Sequence, residues 1–137
     1  MYQSLQGNLG LGKAIEYFTS QGITVALPLN DTQKYDLKAD FDGGLQRISV
    51  KTTRSTKNGT SFGVQLRNTG GSSGNWKVRP FDKDSCDYVF VYTINEECYL
   101  IPTEIIEAVN SITVGSKYKD YLVYIKPFKD FIEEQEN

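Results

Sequence analysis

The sequence predicts one domain of α/β class, or α+β with a mixed sheet, in which helices pack against β-strands. Two observations predict this class. An apolar stripe with helical spacing lies near the start of the chain, and several later segments alternate apolar and polar residues as strands do. The 137 residues suit one hydrophobic core, so we expect residues 1–137 to fold as a single unit.

The first predicted element is a helix over residues 5–20, which Gly22 is suited to end. Its apolar stripe consists of Leu11, Ala14, Ile15 and Phe18. Strands are predicted next in "ITVALP", "YDLKADF" and "LQRISVKT". Asp42-Gly43 is a strong signal for a hairpin turn between the last two strands.

The second half of the chain predicts further strands in "SFGVQLR", "DYVFVYT", "ECYLIP" and "DYLVYIKP". "KNGT" is predicted as a turn or loop tip, and "NTGGSSGN" as a flexible loop. We also expect a short helix over residues 102–109, and a short acidic tail with helical character in "KDFIEEQEN".

Composition excludes several classes of function. The chain has no run of about 18 apolar residues that could span a membrane, and its first residues do not resemble a signal peptide. Cys86 and Cys98 lack the spacing of metal ligands, so we expect two reduced thiols in a cytoplasmic protein. Because histidine is absent, any catalysis has to use carboxylates, lysine, hydroxyls and a hard cation.

Charge is segregated along the chain. Seven basic residues and no acidic residue lie in the basic span, residues 46–80, although the whole chain has 15 basic and 17 acidic residues. Such a span is typical of a nucleic-acid contact. The alternative is a solvated face balanced by acidic neighbours after folding. It is weaker, because 35 residues without an acid is a long stretch for so acidic a chain.

The predicted hairpin brings an acid and a lysine to one face. With a two-residue loop Asp36 lies opposite Ser49, and with a four-residue loop it lies opposite Lys51. In either register these three side chains share a face, while apolar residues of both strands share the other. A carboxylate that holds Mg²⁺ beside a lysine suits phosphodiester hydrolysis. A surface Asp–Lys pair without function is the competing interpretation, and the hairpin alone favours it.

Three motifs with their spacings, "GNLG", "YDL" and "VKTT", resemble the PD-(D/E)XK endonuclease family of group I intron homing endonucleases, and within it a cyanobacterial member. The resemblance is close over roughly the first 55 residues. It implies a restriction-endonuclease-like αβββαβ core with additional hairpins, and Mg²⁺-dependent cleavage of double-stranded DNA. It further implies that Asp36 and the carbonyl of Val50 bind the metal, and that Lys51 is the catalytic lysine.

Three positions depart from the family pattern. Leu11 stands where the family has a helix acid, and Ser49 where it has Glu, Asp or Gln. Leu11 is also explained by packing in the apolar stripe. Lys38 replaces an apolar residue, and is either solvated, a substitute for missing metal charge, or a relocated catalytic lysine. We therefore predict a site-specific endonuclease that still binds DNA but cleaves it weakly or not at all.

We expect the basic span to bind DNA through phosphates and bases. The outward face of "SFGVQLR" is predicted to join a two-stranded ribbon that reads the major groove, with Arg67 suited to guanine and Gln65 to adenine. In the two-residue register Arg47 lies opposite Lys38, so a phosphate is expected between them. Trp76 is expected to anchor its loop. The complete predicted DNA-binding set is Arg47, Thr53, Arg54, Lys57, Ser61, Gln65, Arg67, Lys77 and Arg79.

A chain this small covers little DNA, so a long site requires a homo-oligomer. The resemblance implies a dimer or tetramer, with the tetramer favoured. The apolar segments "CYLIPTEIIEAV" and "DYLVYIKPFKDFI" are the candidate interfaces. Three other functions remain open: a structure-specific nuclease like a Holliday junction resolvase, a non-catalytic DNA-binding protein such as a repressor, and a protein-interaction domain with an incidental basic stretch.

Overall fold

A computed structural model describes residues 2–30, 32–56, 58–70 and 77–136. Helix α1 (Tyr2–Ser20) is followed by strands β1 (Val25–Ala26), β2 (Leu37–Phe41) and β3 (Gly44–Thr53). The middle of the chain forms β4 (Phe62–Gln65), β5 (Asn68–Gly70), β6 (Lys77–Arg79) and β7 (Tyr88–Thr93). The last elements are β8 (Cys98–Pro102), β9 (Ser111–Val114), β10 (Leu122–Val123) and helix α2 (Phe128–Glu136).

The central sheet contains six strands in the order β1-β2-β3-β7-β8-β10. Strands β3 and β7 run parallel and the other neighbours run antiparallel, so the sheet is mixed and the predicted fold class is confirmed. The β2–β3 hairpin has the two-residue loop, because Phe41 pairs with Gly44 and Leu37 with Ile48. Gly43 turns the chain with a φ of +104°, a conformation that favours glycine.

Each face of the sheet carries its own hydrophobic cluster. Helix α1 covers one face, where Phe18 packs with Ile48 and Phe90 in a fully buried group. A two-stranded ribbon of β4 and β9 covers the other face, and its Phe62 and Val64 are buried in the second cluster. Lys51 pairs with Val91 and Ser49 with Val89, so both point to the ribbon side, away from α1.

The structure corrects three expectations about elements. The described residues between β3 and β7 form three strands and a 3₁₀ turn at Lys83–Ser85, not the second helix of an αβββαβ core. The helix expected over residues 102–109 is a single 3₁₀ turn, Thr103–Ile105, because Ile106 is already extended. Strands β5, β6 and β9 were not predicted, and β5 occupies the start of the predicted flexible loop. Lys57, Trp76 and most of the predicted flexible loop lie outside the described residues.

Two further observations concern the cysteines and the helices. Cys86 and Cys98 are buried free thiols. Neither α-helix in the described part of the chain is both long and apolar enough to cross a membrane.

Helix α1 approaches β3 closely at Gly10. A Cβ atom at Gly10 would lie 1.9 Å from Oγ1 of Thr52, whereas one at Gly12 would meet nothing within 4 Å. We expect Gly10→Ala to lower the free energy of unfolding by about 1–3 kcal/mol, and Gly12→Ala to raise it by about 0.5–1 kcal/mol through helix propensity. Urea unfolding of both variants measures this difference.

The Thr52 hydroxyl supplies the control for this prediction. Its Oγ1 is buried and has no hydrogen-bond partner among the described residues, so its removal leaves no partner unsatisfied. Adding Thr52→Ala to Gly10→Ala should recover most of the lost stability. Equal stability of Gly10→Ala and Gly12→Ala would contradict the close helix–strand contact.

Candidate active site

The structure places Asp36 at the point where β2 begins and opposite Ser49 of β3. Its main-chain N–H donates to the carbonyl of Ile48 at 2.8 Å, which extends the β2–β3 ladder by one residue. Its carboxylate Oδ2 accepts a hydrogen bond from the N–H of Val50 at 2.6 Å. The N–H and C=O of a strand residue point to the same side. The Val50 carbonyl therefore lies at the same strand edge as the Asp36 carboxylate.

Lys51 follows on the same face of β3 as Ser49, and it is partly buried. Burial lowers the pKa of the Lys51 ammonium, while the charge of Asp36 opposes that shift. Burial also raises the pKa of the Asp36 carboxyl, against the Val50 hydrogen bond and the charge of Lys51. An acid and a lysine with opposed pKa shifts are typical of a functional site.

The donors at this site fit a weakly held Mg²⁺ ion. Among the described residues no group of three or more Cys, Asp or Glu side chains could enclose a metal. Asp36 and the Val50 carbonyl offer oxygen ligands at one edge, and Mg²⁺ commonly keeps several waters while using one or two carboxylates. When bound, the ion would neutralise phosphate charge and lower the pKa of a bound water.

Leu11 and Ser49, the two active-site positions that depart from the family pattern, do not add a strong metal ligand. Leu11 is partly buried and packs against the cluster between α1 and the sheet. Ser49 is 5% exposed and carries only a short neutral hydroxyl. The packing explanation for Leu11 therefore agrees with the structure, and Asp36 is the carboxylate that the hairpin brings to this edge.

Arg47 lies opposite Lys38, as the two-residue register requires. Its guanidinium is held by the carboxylate of Asp87 at 3.3 Å and by the carbonyl of Asp84 at 2.7 Å. The Lys38 ammonium lies 5.4 Å from the centre of the Tyr35 ring. Asp87 supplies an anion to Arg47 within the chain, whereas the phosphate expected between Arg47 and Lys38 stays a prediction. Arg47 therefore ties β3 to the start of β7.

The Arg47–Asp87 contact predicts a pH-dependent contribution to stability. Burial would raise the pKa of Asp87, but hydrogen bonds from the Arg47 side chain and backbone outweigh it and lower the pKa. A lowered carboxyl pKa stabilises the fold above the unfolded value of about 4 and loses that effect as pH falls through the folded value. We expect Asp87→Asn to cost about 1 kcal/mol at pH 7, because the pair is partly exposed, and much less at pH 3.

Urea unfolding at the two pH values checks this prediction, with Glu133→Gln on the exposed face of α2 as the control. A loss of the same size at pH 3 and pH 7 would show that the Asp87 charge is not the cause.

A cleft of about 700 Å³ opens beside Lys51, between the end of β3 and the β4–β9 ribbon. Three cations and no acid occur among the described residues that line it. The polar and charged lining residues are Gln6, Lys51, Thr52, Thr53, Arg54, Ser55, Gln65, Arg67, Ser111 and Thr113. The sequence did not indicate Gln6, Ser111 or Thr113, because they reach the cleft only through the packing of α1 and the pairing of β9.

The remaining predicted DNA-binding residues occupy different positions. Thr53 is buried, and its hydroxyl donates to the Gly63 carbonyl at 2.5 Å, so this side chain fastens β4 to β3. Ser61 is partly buried next to β4, and Arg79 is exposed on β6. Lys57 and the side chain of Lys77 lie outside the described part of the structure.

A carboxylate and a lysine on adjoining strands, beside a basic cleft, are features of a nuclease. The chain belongs to the PD-(D/E)XK endonuclease family, whose model, described as "PD-(D/E)XK endonuclease", matches residues 1–131. A solved structure of a bacterial homing endonuclease, I-Ssp6803I, superposes with a TM-score of 0.70 and 25% identity, over 93% of this chain and 85% of that one. No curated protein matches significantly. The predicted family is thus confirmed.

Proposed function

We propose that this chain is a site-specific, Mg²⁺-dependent endonuclease for double-stranded DNA, of the homing type, in which cleavage is strongly impaired. The juxtaposition of the Asp36 carboxylate, the Val50 carbonyl and Lys51 at one edge of β3 supports the chemistry. Lys51 also lines the basic cleft, so a phosphate bound there would lie beside these groups. This shared position of Lys51 is the observation that carries the proposal.

We infer that cleavage is impaired because few groups at the site could bind the metal. One carboxylate and one carbonyl hold the metal less firmly than a site with the helix acid and a longer polar side chain at residue 49. Leu11 provides no lone pair, and the Ser49 hydroxyl is neutral, short and buried. The chain should therefore position the metal poorly while keeping the cations that bind DNA.

Homo-oligomerisation, as a dimer or tetramer, is the second part of the proposal. Large apolar side chains remain exposed in the two C-terminal segments, and Tyr124 and Phe128 are 74% and 77% exposed. Exposed aromatic residues of this size suit a subunit interface. A two-fold assembly would present two clefts to one duplex and so lengthen the recognised site.

The salt dependence of duplex binding tests the proposal that the chain binds DNA through the cleft. Three cleft cations, Lys51, Arg54 and Arg67, predict that log K falls against log salt with a slope of about −3 or steeper. Arg54→Gln should reduce the slope by about one, whereas Lys119→Gln, outside the cleft, should leave it unchanged. Fluorescence anisotropy in Ca²⁺ measures both slopes.

A slope near zero would contradict the proposal and favour a protein-interaction domain. The same assay with a four-way junction tests the alternative that the chain is a structure-specific nuclease. Tighter binding to junctions than to every linear duplex would indicate a resolvase rather than a site-specific endonuclease.

A further inference from the structure

The end of strand β4 and the residues just after it present two polar side chains, Gln65 and Arg67, as one unit. With the Gln65 amide oriented so that its oxygen faces the guanidinium, Oε1 accepts from Nη2 of Arg67 at 2.7 Å and from Nε at 3.0 Å. Both residues line the cleft beside Lys51. Gln65 is exposed and Arg67 is partly buried.

The backbone under this pair is fixed on both sides. The carbonyl of Asn110 accepts hydrogen bonds from the N–H groups of Leu66 at 2.8 Å and Arg67 at 3.3 Å. Gln65 pairs with Ser111 across the ribbon, and the inward-facing Val64 and Leu66 are at most 1% exposed. The direction in which Arg67 leaves the strand is therefore set before any ligand binds.

The two contacts to Gln65 use one edge of the guanidinium and leave the other edge available to DNA. Arginine has five N–H donors in a rigid planar fork. Nε and the nearer hydrogen of Nη2 face Gln65, so Nη1 and the second hydrogen of Nη2 form a parallel pair of donors at the end of the side chain. A parallel pair of donors matches O6 and N7 of guanine in the major groove.

We infer that Arg67 is a specificity-determining residue that reads one guanine close to the cleavage site, and that Gln65 is a positioning residue that holds its guanidinium instead of reading a base of its own. The inference rests on the proposed function and adds one element of the target sequence. It revises the expectation that Gln65 contacts adenine independently. Because Lys51 lines the same cleft, the guanine lies near the phosphate that the active site would reach.

Selection from a randomised duplex library, in Ca²⁺ so that binding alone is measured, tests this inference. We expect the wild-type chain to prefer guanine at one position, and Arg67→Ala to reduce that preference by about 10-fold or more. Gln65→Leu should reduce the preference at that same position, and the double variant should lose no more than Arg67→Ala alone. Gln65→Glu keeps the acceptor and should keep the preference for guanine, even where its charge weakens overall affinity.

Two results with Gln65→Leu would overturn the inferred role of Gln65. One is that Gln65→Leu alters the preference at a different base pair, and the other is that it leaves the guanine preference intact. Gln21→Leu, an exposed glutamine at the far end of α1, is the matched control, and thermal unfolding verifies that each variant is folded. If the wild-type chain enriches no sequence at all, the proposed site-specific function fails together with the inference. If it is specific but indifferent to Arg67, only the inference fails.

Discussion

Leu11→Glu combined with Ser49→Gln should raise plasmid nicking in Mg²⁺ by about 100-fold or more. The double substitution restores a carboxylate on α1 and a longer polar side chain beside Asp36, and so completes the metal's donor set. A correctly held metal ion contributes several kcal/mol to phosphodiester cleavage, and about 3 kcal/mol corresponds to this rate increase. Initial nicking rates on supercoiled plasmid containing the preferred site give the comparison.

Two controls assign the gain to metal binding. The variant with Leu11→Gln and Ser49→Gln is polar at both positions but has no carboxylate on α1. It should therefore recover much less activity. The variant with both Leu11→Glu and Ser49→Gln is called the restored chain. Adding Asp36→Asn to the restored chain should abolish the gain in nicking rate. If the restored chain is folded, binds duplex and still does not cut, the protein is a DNA-binding protein without catalysis, such as a repressor.

Lys51→Met in the restored chain should lower the cleavage rate by roughly 10²–10³-fold, the loss typical of removing one group that stabilises developing charge. The position of Lys51 between Asp36 and the cleft suits such a role. Single-turnover rates at saturating enzyme separate this effect from DNA affinity. Affinity itself should lose only one phosphate contact, which reduces the salt slope by about one.

Lys38 provides the sharpest comparison with Lys51. Its ammonium lies over the Tyr35 ring, on the same hairpin and opposite Arg47. If Lys38→Met abolishes cleavage while Lys51→Met does not, Lys38 is the relocated catalytic lysine and our assignment of Lys51 is wrong. We expect a much smaller effect from Lys38→Met, because Lys38 is not among the residues that line the cleft.

Local signals predicted the active hairpin. The Asp42-Gly43 turn and the apolar alternation of two adjacent strands limited the register to those that place Asp36, Ser49 and Lys51 on one face. The structure has the two-residue loop, in which Phe41 pairs with Gly44. Helix α1 was predicted because its apolar residues recur within one face. Both elements depend on residues that are near one another along the chain, where patterns are most informative.

Long-range contacts account for what the sequence did not reveal. Strand β9 pairs with β4 from almost fifty residues away, so the segment "SITV" gave no sign that Ser111 would enter the cleft. Asp87 holds Arg47 from 40 residues further along the chain, a contact that no local pattern indicates. The pairing of Gln65 with Arg67 depends on side-chain orientation, which strand alternation leaves undetermined.

A crystal structure of the chain with duplex DNA and Mn²⁺ tests whether the metal and the DNA meet at Asp36 and Lys51, because the anomalous signal of manganese locates the ion. We expect an ion bound by the Asp36 carboxylate and the Val50 carbonyl, with a phosphate of the duplex beside Lys51. An ion at another place on the chain, or DNA bound to a face that does not include Lys51, would contradict this expectation.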